Sequence, residues 1–206
     1  MPQTKNNPER SFAASFADEG PRSQAATGLV FLWAGLLYGA QTLAYGAIEA
    51  GLFALSGSGG LILALAPTIP FLAVIVYVSW QGRTSQKGVA TRALNACYTS
   101  AGLVNLVIAI AFGVLAARKQ NMTIWLLYPI VICAMQGAAW YAACAIRRKV
   151  WLGAISAGWF VVTVILTLLV TRIEAYLLVL GLALWGLMAA PGYALMKRAA
   201  TEPDNA

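Results

Sequence analysis

The sequence predicts an all-α integral membrane protein, a bundle of six transmembrane helices with both termini on the cytoplasmic side. Three observations carry that expectation. The 206-residue chain is 60% hydrophobic, with a mean hydropathy of +0.73. Only 10% of its residues are charged, against roughly 25% in a soluble domain, which is too few to wet a globular surface. The apolar residues also fall in long unbroken runs, not in the two-residue alternation of a membrane barrel.

Residues 1–27 form a polar tail of mixed charge, expected to be disordered. No apolar segment follows its charged start closely enough for a signal peptide. Six runs then reach the length of about 20 residues that a helix needs to cross roughly 30 Å of hydrocarbon. They cover about 28–55, 61–80, 97–117, 123–145, 151–171 and 174–196, and residues 199–206 make a short second tail. The outer connections are brief: SGSGG at 56–60, the stretch around 118–121, and Arg172-Ile173. The longest inner connection, 81–96, reads as a basic helical extension of the third span. Trp33, Trp80, Trp125 and Trp151 fall near span ends, where indole rings favour the membrane–water interface. Pro67 and Pro70 in span 2, Pro129 in span 4 and Pro191 in span 6 each free a carbonyl and can kink their helix.

Orientation follows from Lys and Arg. Eleven of the 14 sit in the N-terminal tail, the 81–96 loop, the Arg147-Arg148-Lys149 turn and the C-terminal Lys197-Arg198; Arg118, Lys119 and Arg172 lie on the other side. The more basic side faces the cytoplasm by the positive-inside rule. The net charge of +7 is thus a topology signal, not a nucleic-acid footprint, and it gives some affinity for anionic headgroups. A positive-inside chain of this kind fits the bacterial cytoplasmic (inner) membrane.

Composition also limits chemistry. There is no histidine, Asp18 and Asp204 lie in the tails, and every lysine is in a tail or loop. His-based metal or nucleophile sites, an intramembrane aspartyl dyad and a mid-membrane Schiff base are therefore excluded. Cys97, Cys133 and Cys144 show no CxxC spacing and read as small buried hydrophobes. No enzymatic activity and no cofactor are expected.

What remains are polar residues inside the spans, which are costly in hydrocarbon and hence candidates for function. Tyr38, Gln41, Tyr45 and Glu49 recur at spacings of three, four and four on one face of span 1. Asn105 in span 3 and Gln136 in span 4 sit in the middle to inner part of the bilayer, so a polar seam or substrate lining is one reading and plain interhelical hydrogen bonding the other. Taking span 1 to end near Leu55 puts Glu49 roughly 9 Å below the outer boundary at 1.5 Å per residue, where it exchanges protons, is wetted by an outer vestibule, or pairs with Arg172. Beside this face Gly35, Gly39 and Gly46 form a small-residue stripe suited to close helix packing.

Two functions follow. One is an accessory, scaffold or sensor subunit working through helix–helix contacts with a membrane-protein partner or a second copy. The other is a small secondary transporter or channel, with Glu49 as titratable group and Gln41, Asn105 and Gln136 as polar lining. They part on whether those side chains converge on a cavity or are each satisfied by one neighbouring helix.

Overall fold

The computed structural model describes residues 21–82 and 89–201. Helix α1 spans Pro21–Glu49, α2 Gly57–Leu65, α3 Thr68–Gly82, α4 Val89–Lys119, α5 Met122–Arg147, α6 Val150–Leu169 and α7 Ile173–Leu184. A π-helical turn, Trp185–Ala189, joins α7 to α8, Ala190–Thr201. No strand occurs among the described residues. Grouped as α1, α2–α3, α4, α5, α6 and α7–α8, they give six helical stretches long and apolar enough to cross a membrane.

The boundaries have local causes. Residues 1–20, most of the tail expected to be disordered, lie outside the described residues, whereas 21–27 are already helical. Pro21 opens α1, where its missing N–H leaves no helical bond unmade. The same helix stops at Glu49, not near Leu55. Gly51 takes a left-handed φ of 72°, its N–H reaches the Ile48 carbonyl at 2.9 Å, and the Leu52 N–H reaches the Ala47 carbonyl at 3.0 Å. That pair of bonds is a Schellman cap, and it needs glycine or asparagine at the turning position. The start of α5 is capped by the Asn121 side chain, which accepts the Thr123 N–H at 2.9 Å, and its end by Arg148 in the left-handed region. Span 2 is interrupted at Ala66-Pro67.

Packing runs in an open order rather than a closed ring. The sixth span lies along the whole of α1 and also touches α6; α6 packs on α5, α5 on α4, and α3 on α1. Between α1 and the fifth helix the Phe31 and Trp140 rings meet at 5.0 Å, and Tyr98 of α4 stands edge-on to Phe31 at 5.1 Å. The core is thickest here and along α5–α6–α7: Trp140, Trp159, Tyr176, Leu94, Leu152, Leu166 and Leu195 are fully buried. The second and third spans are flanking elements, each with only 6% of its central window buried.

The tightest contact is a glycine seam between α1 and the sixth span. A methyl group on Gly28 would sit 2.7 Å from the Gly192 carbonyl oxygen, and one on Gly35 would meet the Ala189 N–H group and the Leu184 carbonyl, the latter at 2.7 Å. Over Gly39 lies the Trp185 indole, and Gly46 faces Leu177. The stripe is therefore occupied by the chain's own sixth span.

Candidate functional site

Each proline within a membrane-length helical stretch lacks an N–H, so the carbonyl four residues earlier loses its helical donor, and proline geometry strains the next bond as well. In hydrocarbon such carbonyls must find partners from other helices. Neighbouring helices supply them at Pro67 and Pro191. Pro67 frees the Leu63 carbonyl at the break in span 2. The Gln41 side-chain Nε2 donates to that oxygen at 3.0 Å and to the Ala64 oxygen at 3.1 Å. Pro191 frees the Leu187 carbonyl, which accepts from the Trp159 indole N–H at 3.2 Å. The Ala190 N–H reaches back to Trp185, in the wider π register. Near Pro129 the Tyr176 hydroxyl donates to the Leu126 carbonyl at 2.6 Å, three residues back rather than four. Ser156 does the same for the Gly137 carbonyl at 2.7 Å without a proline.

These donors are positioned by packing. Tyr176 and Trp159 are buried in the core, and Gln41 is carried by α1 beside the ring pair Tyr38–Phe71, whose centroids are 5.5 Å apart. Replacing Tyr176 with Phe keeps the ring and removes the donor. Tyr176→Phe is expected to cost about 1–1.5 kcal/mol, near the top of the range for membrane hydrogen bonds, as read by reversible unfolding in micelles. A neutral result would mean that the Leu126 carbonyl is served within its own helix.

A second polar group lies where α1, α4 and α5 approach. The Tyr128 hydroxyl donates to the Asn105 Oδ1 at 2.7 Å, its ring stacks on Trp125 at 5.1 Å, and Tyr38 lies within electrostatic reach of it. Thus the Asn105–Tyr128 bond joins α4 to α5, and the Tyr38–Phe71 ring contact joins α1 to α3.

The sequence-derived candidates are consequently dispersed. Asn105 accepts the Tyr128 hydroxyl, Tyr38 stacks edge-on to Phe71, and Gln41 is committed to span 2. Tyr45 and Gln136 are half-buried and make no side-chain hydrogen bond among the described residues. Glu49 is the last residue of α1 and is exposed. Its expected depth of six residues below a boundary at Leu55 is corrected by the Gly51 cap, which turns the chain immediately after it. Glu49 and Arg172 form no ion pair among the described residues. Gly35, Gly39 and Gly46 lie on the seam. Tyr128, Tyr176 and Phe71 were not singled out from the sequence as polar or ring partners. The proline rule, naming an acceptor four residues upstream, was the signal available for two of the three caps.

Other chemistry is sparse. The three cysteines are free, and among the described residues no group of three or more His, Cys, Asp or Glu side chains could hold a metal ion. An open groove of about 260 Å³ runs between α4 and α5, lined by Cys97, Val104, Met135 and the small residues Ala101, Ala138 and Ala139.

The fold and these sites define an all-helical chain with six membrane-length spans whose polar side chains mostly serve helix backbones. No protein-family model, curated protein or solved structure matches it.

Proposed function

We propose that this is a multi-pass protein of the bacterial cytoplasmic membrane, with its basic end cytoplasmic, acting without enzymatic chemistry as an accessory, scaffold or sensor subunit through lateral helix contacts. The observation that supports it most is how the intramembrane polar groups are used. Gln41, Trp159, Tyr176 and Ser156 all donate to carbonyls of a neighbouring helix, which serves architecture rather than a solute path. The glycine stripe is likewise spent within the chain. The surfaces left for a partner are the exposed apolar faces of the flanking spans, among them Leu72 and Val76 of α3 and Leu106 and Val107 of α4.

The experiment is photocrosslinking in native membranes from probes placed at Leu72 and Leu106, compared with the still more exposed Leu168 of α6. One discrete membrane-protein adduct, or a second copy of this chain, is expected from the first two positions and none from the third. Adducts with lipid alone at all three positions would sink the reading. A secondary reading as a transporter rests on the Tyr38–Asn105–Tyr128 group; Glu49 at the rim and Gln41 on its carbonyls lend it little. Proton-coupled flux by a lone chain in liposomes, lost in Tyr128→Phe, would favour transport over the accessory role.

A further inference from the structure

We draw no further inference here: the strongest candidate, the open groove of about 260 Å³ between α4 and α5 that Cys97 and Met135 line with Ala101, Ala138 and Ala139, is an unpartnered apolar surface, and nothing in the structure shows what covers it.

Discussion

Gly35→Ala is expected to destabilise the bundle by about 2–3 kcal/mol, and Gly35→Val by more, as overpacking of a close contact does. The added methyl group would meet the Ala189 backbone nitrogen, and the Leu184 carbonyl oxygen at 2.7 Å. Neither is the movable end of a side chain, so relief requires α1 and the sixth span to separate along a contact that runs from Gly28 to Gly46. Gly39→Ala differs in kind, because there the obstacle is the Trp185 indole, which a smaller residue at 185 would remove. The pair Gly39→Ala with Trp185→Leu should therefore be less costly than the sum of the singles. Gly102→Ala, which meets nothing within 4 Å, should change stability by no more than about 0.5 kcal/mol, like other substitutions away from packed features. Equilibrium unfolding in micelles reads them all. A neutral Gly35→Ala would mean that the helices are not in contact there. If it dissociated a partner while leaving the chain's own stability intact, the stripe would be an intermolecular surface after all.

This bears on what a single sequence discloses. Six long apolar runs were legible because span length is set by bilayer thickness and needs no knowledge of tertiary contacts. The small-residue face of span 1 was legible by helical period, but its occupant was not. Gly28 and Gly192 are distant in sequence, and nothing local records that they abut. The end of span 1 was legible in principle, since glycine is the residue that accepts the left-handed φ of a helix cap; hydropathy alone does not register it, because the apolar run continues past Gly51 to Leu55. The polar face of Tyr38 and Gln41 follows from their spacing. What Gln41 bonds to does not, because its partners are backbone carbonyls and a backbone carries no letter in the sequence. Only the prolines mark where such carbonyls are free.

Gln41 gives the sharpest test of that rule. Gln41→Leu should cost about 1.5 kcal/mol, near the upper end for an interhelical hydrogen bond in a membrane, because it strands two carbonyls at once. The Leu63 oxygen is orphaned by Pro67, and the Ala64 oxygen lies at the break where α2 gives way to α3. In a Pro67→Ala background the restored N–H can serve Leu63 from within a continuous helix, so the same Gln41→Leu should become nearly neutral. The coupling between the two substitutions measures the cap itself, free of the side chain's packing, and a cycle of unfolding experiments in micelles supplies it. Additive losses would mean that Gln41 stabilises by filling space beside span 2 rather than by donating to it. The cap also holds a half-span that has little else to hold it, since α2 contributes no buried residue. Amide exchange across 57–66 should therefore rise in Gln41→Leu and return toward the native rate with Pro67→Ala, while exchange in α6 stays unchanged in both.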